Sequence, residues 1–145
     1  MEIRLPYDCG VSAILIEQIR ILVVEDDEVG AQVARLMLER LGCLVDVAAN
    51  GVDAIELFRK GSYHLVFMDW QMPVMDGFEA TAWIRRLPRG RETSIIGTTA
   101  NRSRSECLAA GMNDIMPKPF LLENMKLELS KWTHWNENLN AKKGA

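Results

Sequence analysis

Closely spaced cysteines and histidines are absent from this chain. Its three cysteines, Cys9, Cys43 and Cys107, lie far apart, and its two histidines, His64 and His134, stand alone. No C-x-x-C motif or zinc-type spacing exists, which excludes a local disulfide framework and a Cys/His metal site. We therefore expect a reduced cytoplasmic protein, or a cytoplasmic part of a larger one, whose thiols are buried as small apolar groups.

Long hydrophobic runs and an excess of positive charge are also missing. The one apolar stretch near the N-terminus, residues 11–16, is too short for a signal-peptide core or a membrane span. The chain has 17 Lys+Arg against 20 Asp+Glu, for a net charge of −3. An acidic surface repels phosphate backbones and anionic lipids, so we expect neither nucleic acid nor a membrane as direct partner.

What is present is the composition of one soluble domain and a regular alternation of patterns. Hydrophobic residues make up 48% and charged residues 26% of the 145 residues. Short apolar runs that predict buried strands alternate with segments of helical periodicity. The predicted strands are residues 21–24, 44–48, 64–68, 94–99 and 114–116, and a helix follows each of them, the last over 121–132.

The first helix illustrates the periodicity. An apolar stripe, which we expect to face the core, is formed by Val29, Val33, Leu36, Met37 and Leu41. Helix boundaries carry recognisable signals: Gly42 follows the first helix, Asn50-Gly51 opens the second, the third stops before Pro88, and Ser103 with Glu106 resembles a capping box for a short fourth helix that ends near Gly111.

Five strands joined through helices predict an α/β fold with a doubly wound, five-stranded parallel sheet and right-handed crossovers. We expect the flavodoxin-like strand order 2-1-3-4-5 with five helices. The domain is predicted to span residues 20–132, after a linker over 1–19 and before a frayed tail over 133–145 that includes Trp135. Among the other tryptophans, Trp83 and Trp132 are expected to pack in the core, and Trp70 to line the rim of a pocket.

Charged side chains follow the strands of the predicted sheet. Glu25 and Asp26 come after the first strand and Asp69 ends the third, so three carboxylates meet at the carboxyl edge, where open α/β sheets bind ligands. Such a cluster needs a cation, and all-oxygen ligands suit Mg²⁺. Lys118 after the fifth strand and the hydroxyl of Thr99 after the fourth complete the groups needed for phosphoryl transfer.

Three stretches of the chain resemble the signatures of response-regulator receiver domains in two-component systems. They are ILVVEDD over residues 21–27, MDWQMPVMDG over 68–77 and PKPF over 117–120. The similarity extends over about residues 21–132, and the Gln-Met-Pro of the second stretch is especially similar to receivers of hybrid sensor histidine kinases and phosphorelays. The resemblance therefore implies a signalling protein that is regulated by phosphorylation.

The resemblance also implies a role for each site residue. Asp69 corresponds to the phosphoacceptor, Asp26 to a direct Mg²⁺ ligand and Glu25 to its partner, which acts through water. The Mg²⁺ shell is completed by the backbone carbonyl of Gln71, the phosphoryl group is bound by Lys118, the switch hydroxyl belongs to Thr99, and the Lys118–Pro119 peptide bond is cis. Asp27, in contrast, is expected to cap a helix, and Asp76-Gly77 to begin one.

The function implied is that Asp69 takes a phosphoryl group from the phosphohistidine of a sensor histidine kinase or a histidine phosphotransfer protein. Such a domain is not an enzyme with a separate substrate, because it catalyses only its own Mg²⁺-dependent phosphorylation and dephosphorylation. Three departures concern the readout: Ile115 stands where the family usually has an aromatic residue, Gly97-Thr98 replaces Ala-Leu, and residues 101–106 form a connection about one helical turn shorter than usual.

Three other functions fit the sequence less well. A haloacid-dehalogenase-type hydrolase needs an acid–base Asp where this chain has Gln71, and a flavodoxin needs a Ser/Thr/Gly-rich phosphate loop where it has Glu25-Asp26-Asp27. A receiver-like module that is never phosphorylated typically lacks a key residue, and none is lost here. The sequence leaves open the kinase, the signal, the oligomeric state, and whether the domain is a stand-alone regulator or part of a hybrid kinase.

Overall fold

The computed structural model describes residues 18–100 and 103–137. Five strands alternate with five helices: β1 (Arg20–Val24), α1 (Glu28–Arg40), β2 (Leu44–Ala48), α2 (Gly51–Lys60), β3 (Leu65–Asp69), α3 (Gly77–Arg86), β4 (Ser94–Thr99), α4 (Arg104–Ala109), β5 (Asp114–Pro117) and α5 (Leu122–Trp132). The strands form one parallel sheet in the order β2-β1-β3-β4-β5. The predicted fold and strand order are confirmed, and most element boundaries agree within a residue.

The central strands are buried on both faces because helices cover both sides of the sheet. Alternate residues of β1 belong to the hydrophobic clusters on the two faces of the sheet. Ile21 and Val23 pack with Phe67 on the face that α1 and α5 cover. Leu22 and Val24 pack on the opposite face, which α2, α3 and α4 cover. Burying a side chain of this size contributes roughly 1.5–3 kcal/mol. The packing on both faces fixes the carboxyl ends of β1 and β3, where the candidate site lies.

The face that α1 turns to the sheet differs from the predicted stripe. Val29 is 71% exposed, Val33 38% and Leu36 64%, and the helix buries Ala31, Ala34 and Leu38 instead. The prediction was wrong for these three valine and leucine side chains, although Met37 and Leu41 do contact the core. Alanine lacks a bulky side chain, so a helix can approach a sheet closely on an alanine face. An apolar stripe is thereby left on the outer surface of α1.

Two tryptophan predictions are also corrected. Trp83 is 46% exposed, and its ring lies 5.5 Å from the guanidinium carbon of Arg86, because α3 packs through Ala80, Thr81 and Ile84. Trp135, which was expected in a frayed tail, is buried. Its Nε1 donates a hydrogen bond of 2.8 Å to the carbonyl of Leu41. Trp132 packs against the core as predicted.

The predicted helix caps are confirmed. The side chain of Asp27 accepts a hydrogen bond of 2.9 Å from the amide of Gly30, and Asn50 and Asp76 accept equivalent bonds of 2.8 Å at the starts of α2 and α3. Ser103 caps α4 with a bond of 3.4 Å from the amide of Glu106. Side chains that satisfy the first amides of a helix fix its start, so these caps fix the starts of four helices at the edge of the sheet that carries the site.

Cys43 and Cys107 are buried free thiols, as predicted. Cys9, the apolar stretch 11–16 and most of the predicted linker lie outside the described residues. In the part of the chain that the structure describes, no helix has both the length and the apolar character needed to cross a membrane.

Candidate functional site

The three predicted carboxylates meet at the carboxyl edge of the sheet. Val24 of β1 pairs with Met68 of β3, so Glu25 and Asp26, which follow β1, lie beside Asp69. Each of the three acids offers one oxygen, and these oxygens lie within 4.8 Å of one another. Glu25 and Asp69 are buried, whereas Asp26 is exposed. The geometry is that of a half-open acidic site with one side toward solvent.

Lys118 brings a positive charge into the same site from the end of β5. Its Nζ lies 2.9 Å from Oε2 of Glu25 and 3.1 Å from Oδ1 of Asp69. The amide of Lys118 donates a hydrogen bond of 3.0 Å to the carbonyl of Thr99. Thr99 is the last residue of β4, and it is buried. The Lys118–Pro119 bond is cis, as predicted. Residues that are far apart in the sequence therefore meet here because four parallel strands end at one edge.

The site contains three carboxylates and one lysine, so negative charge is in excess. Burial, together with Asp69, raises the pKa of Glu25 to about 7 despite its bonds to Lys118. Partial burial and the neighbouring Asp69 also raise the pKa of Asp26. Burial by itself would lower the pKa of Lys118, but hydrogen bonds to Glu25 and Asp69 outweigh it, so the pKa is raised. An additional cation would relieve this repulsion.

The donor set fits a magnesium ion. All three side chains offer oxygen atoms, one of them is exposed to solvent, and a hard cation of this kind prefers a few carboxylates with waters completing its shell. Within the described residues this is the one group of three acids, histidines or cysteines close enough to hold a metal ion. Asp27 is not part of it, as expected for a capping residue.

The backbone around Asp69 is held from several directions. Trp70, the next residue, donates its amide to the carbonyl of Thr98 at 3.2 Å and accepts from the amide of Gly77 at 3.1 Å. The amide of Gln71 donates to Oδ1 of Asp69 at 3.2 Å. A β-carbon at position 77 would overlap the carbonyl oxygen of Asp69. A glycine at position 77 therefore allows α3 to approach the backbone of Asp69 closely. The sequence analysis interpreted Gly77 only as part of a helix start and missed this role.

A cleft beside the acidic cluster is bounded by the loop after β3 and by the start of α4. Its volume is about 580 Å³, and it is lined by Trp70, Gln71, Met72, Pro73, Asp76, Phe78, Ser103 and Glu106. Trp70 lines this cleft, whereas the sequence predicted it at the rim of the pocket that holds Asp69, a residue that is not in the lining. Its ring contacts Phe78, with 4.9 Å between the ring centroids, although the residue as a whole is only 8% exposed.

Comparison with known proteins agrees with this geometry. The family model of the response regulator receiver domain matches residues 21–130. Hybrid signal transduction histidine kinase B of Dictyostelium discoideum is 40% identical over 126 residues, which cover 77% of this chain and 6% of that protein. The aerobic respiration control sensor protein ArcB of Escherichia coli K12 is 38% identical over 117 residues, or 79% of this chain and 15% of ArcB. The chain thus spans only a small part of these relatives.

Solved structures show the same fold. The receiver domain of a sensor histidine kinase from Pseudomonas aeruginosa PAO1, with a magnesium ion coordinated in its active site cleft, has a TM-score of 0.74 and 39% identity, covering 79% of this chain and 97% of that one. A chain in the co-crystal of the Saccharomyces cerevisiae phosphotransfer protein Ypd1 with the receiver domain of Ssk1 has a TM-score of 0.74 and 28% identity, covering 79% and 88%. With its fold, acidic edge and matched signatures, the chain belongs to the family of response regulator receiver domains.

Proposed function

We propose that Asp69 is the phosphoacceptor of this receiver domain, in a Mg²⁺-dependent reaction with a phosphohistidine donor. The observation that carries the proposal is the position of the Asp69 carboxylate, buried between two other acids and the ammonium of Lys118. A carboxylate nucleophile needs its charge neutralised on one side while it attacks on the other. The exposed edge near Asp26 provides the approach.

Asp69 supplies the one covalent step of the reaction, and the other residues of the site position and neutralise the groups that react. An oxygen of Asp69 attacks the phosphorus, the P–N bond of the phosphohistidine breaks, and the imidazole leaves with its electron pair, so the product is an acyl phosphate. Lys118 would exchange its bond to Asp69 for one to the phosphoryl oxygens, and Thr99 would donate its hydroxyl to the same group. Mg²⁺, held by Glu25, Asp26, Asp69 and the carbonyl of Gln71, would neutralise charge on the phosphoryl oxygens.

The donor would dock on the apolar stripe of α1, formed by Val29, Val33 and Leu36. This stripe begins three residues after Asp26, so a protein that covers it would lie over the entrance to the site. Val74 after β3 and Leu121 after β5 are 97% and 55% exposed and follow strands that end at the same edge. A sensor histidine kinase or a phosphotransfer protein with an apolar rim around its histidine would match this surface.

We retain the prediction of a cytoplasmic location, which the buried unpaired thiols of Cys43 and Cys107 support. In this role the domain turns over no separate substrate. It catalyses the formation and the loss of its own acyl phosphate.

The phosphoacceptor is tested with the small donor acetyl phosphate and Mg²⁺. We expect one added phosphoryl group by intact mass and Asp69 as the modified residue by peptide mapping. Asp69→Asn should abolish the modification, whereas Asp27→Asn, which keeps a capping side chain next to the site, should not. Stoichiometric phosphorylation that persists in Asp69→Asn would show that the assignment is wrong.

A further inference from the structure

The indole of Trp70 occupies a slot that exists because residue 97 is glycine. A β-carbon at position 97 would overlap Nε1 of Trp70 and would also press on Sδ of Met112. An edge of the ring, with Nε1 and Cδ1, therefore lies against the β4 backbone, in the cluster that also contains Cys107 and contacts Ile115. Trp70 is the residue directly after Asp69 in the chain, so the slot couples the end of β3 to the layer under α4.

The slot holds the ring by packing and not by a polar bond. Among the described residues no hydrogen-bond partner exists for the buried Nε1 of Trp70. An indole N–H in this position normally finds an acceptor, because leaving a buried donor unpaired is unfavourable. The buried position thus combines favourable packing of a large ring with an unsatisfied donor, which a second position beside an acceptor would satisfy.

The adjoining cleft offers that second position. Its lining includes Trp70 and Phe78 together with Ser103 and Glu106 at the start of α4, two residues whose side chains contain oxygen acceptors. A ring rotated into this space would keep aromatic contact with Phe78 and bring Nε1 toward oxygen acceptors. The volume of about 580 Å³ leaves room for the indole.

The backbone supplies the connection to the site. The amide of Trp70 donates to the carbonyl of Thr98, which lies between Gly97 and Thr99. A movement of Thr99 toward a phosphoryl group on Asp69 would therefore act on Gly97, through the β4 backbone, and on Trp70, through the hydrogen bond from its amide to Thr98. Ile115 on β5 has no aromatic ring, whereas Trp70, the residue directly after Asp69, has one.

We propose that Trp70 is the conformational switch of this domain: its indole lies over Gly97 in the unphosphorylated state and moves into the cleft next to Glu106 when Asp69 is phosphorylated. The ring would then contact the start of α4 and alter the surface that a downstream partner reads. This inference rests on the proposed phosphoacceptor function, but the slot is testable without phosphate. Two arrangements that differ by a few kcal/mol are what a phosphoryl group can bias.

The test measures the indole N–H resonances of the 15N-labelled full chain by NMR. The Trp70 resonance is assigned as the signal that is missing from the spectrum of Trp70→Phe. Phosphorylation, confirmed by intact mass on the same sample, should shift the Trp70 resonance together with the amides of Ser103 to Glu106. Confirmed phosphorylation with an unchanged Trp70 resonance would overturn the switch and leave the proposed function intact.

Gly97→Ala tests the slot in the absence of phosphate. The result is therefore informative even if Asp69 accepts no phosphoryl group. The added methyl group should displace the ring and move the Trp70 resonance in the direction that phosphorylation does. If this variant is poorly folded, Gly97→Ala/Trp70→Leu should recover the unfolding midpoint of Trp70→Leu alone, because the smaller side chain leaves room for the methyl. An unchanged resonance in Gly97→Ala, or a double variant no better folded than Gly97→Ala, would show that the ring does not depend on this slot.

Discussion

The Nζ of Lys118 lies 2.9 Å from Oε2 of Glu25, in a site where both partners are largely removed from water. The same ammonium also contacts Asp69 at 3.1 Å. One lysine therefore balances two buried carboxylates, with Asp26 adding a third charge at the edge. Because ions buried without a partner are strongly unfavourable, the stability of the fold and the cation affinity of the site depend on this one ammonium.

Removing the lysine should expose this balance. Lys118→Met leaves Glu25 and Asp69 buried without a positive partner, so we expect a loss of about 1–3 kcal/mol in the free energy of unfolding without Mg²⁺, and a smaller loss with it. Urea unfolding with and without Mg²⁺ measures both. Lys126→Met is the matched control, because its side chain is 23% exposed against 26% for Lys118 but its acidic partners are on the surface. Equal losses in the two variants would contradict the prediction.

Magnesium affinity should rise with pH. Glu25, whose pKa is raised to about 7, and Asp26, whose pKa is also raised, must lose their protons to act as ligands. Binding is therefore expected to be weak at pH 5 and to strengthen as the pH rises through 7. The fluorescence of Trp70, next to Asp69, is the readout of the titration. Asp26→Asn should weaken binding strongly, whereas Asp27→Asn should not, and an affinity that does not depend on pH would contradict this account.

The close contact of α3 with Asp69 gives a third prediction. In Gly77→Ala the added methyl group would overlap the carbonyl oxygen of Asp69, and backbone atoms cannot yield as a side chain can. We expect a loss of about 1–3 kcal/mol in stability and slower phosphorylation by acetyl phosphate. Gly51→Ala is the control, since the three atoms nearest to its methyl group would all belong to the flexible side chain of Met75. Similar behaviour of the two variants would show that the approach of α3 to Asp69 is not critical.

A buried acid far from the site should make stability depend on pH. Burial and the neighbouring Asp114 raise the pKa of Glu128 from 4.5 to about 7. The folded protein then holds a proton that the unfolded chain has released, so this acid makes the fold less stable as pH rises from about 4.5 to about 7. Glu128→Gln still offers an oxygen to Nε1 of Trp132, which donates to Glu128 at 3.0 Å.

At pH 8 the Glu128→Gln variant should be more stable than the wild type, by up to about 3 kcal/mol. Near pH 4.5 the difference should be small, because Glu128 is then protonated in the folded state and still about half protonated in the unfolded chain. Urea unfolding at the two pH values measures this. Glu123→Gln on the same helix is the control, since Glu123 is 84% exposed in its side chain and should show no such difference. An equal stability difference at both pH values would be inconsistent with a raised pKa.

The hydroxyl of Thr99 should contribute more to the conformational response than to the transfer of the phosphoryl group itself. In the wild type, phosphorylation is expected to shift the amide resonances of residues 103–106 with little rotameric change at Ile115. Thr99→Ala is expected to accept phosphate on Asp69 yet to lose most of these amide shifts. Thr99→Ser, which keeps the hydroxyl, should retain the response. Large shifts confined to Ile115 and α5 would mean that the readout follows another route.

Much of the architecture was predictable from local patterns in the chain. Continuous β-branched runs such as 21–24 predict strands that are buried on both faces, and capping side chains such as Asp27 and Asn50 mark where helices begin. Parallel strands must end at one edge, so the meeting of Asp26, Asp69 and Lys118 followed from their places at strand ends. These features depend on neighbours in sequence or on the topology, and the order of residues specifies both.

Other features were decided only by packing between distant segments. Periodicity shows that α1 is amphipathic, but the sheet selected the alanine face because small side chains allow close approach, and Val33 was left outside. Trp135 is buried because the carbonyl of Leu41 provides an acceptor, and Gly97 matters because Trp70 lies over it. The helices and strands and the meeting of acidic residues at one edge could therefore be predicted from the chain alone. Which helix faces are buried and which glycines permit close contacts depend on packing between distant segments, and no local pattern encodes that packing.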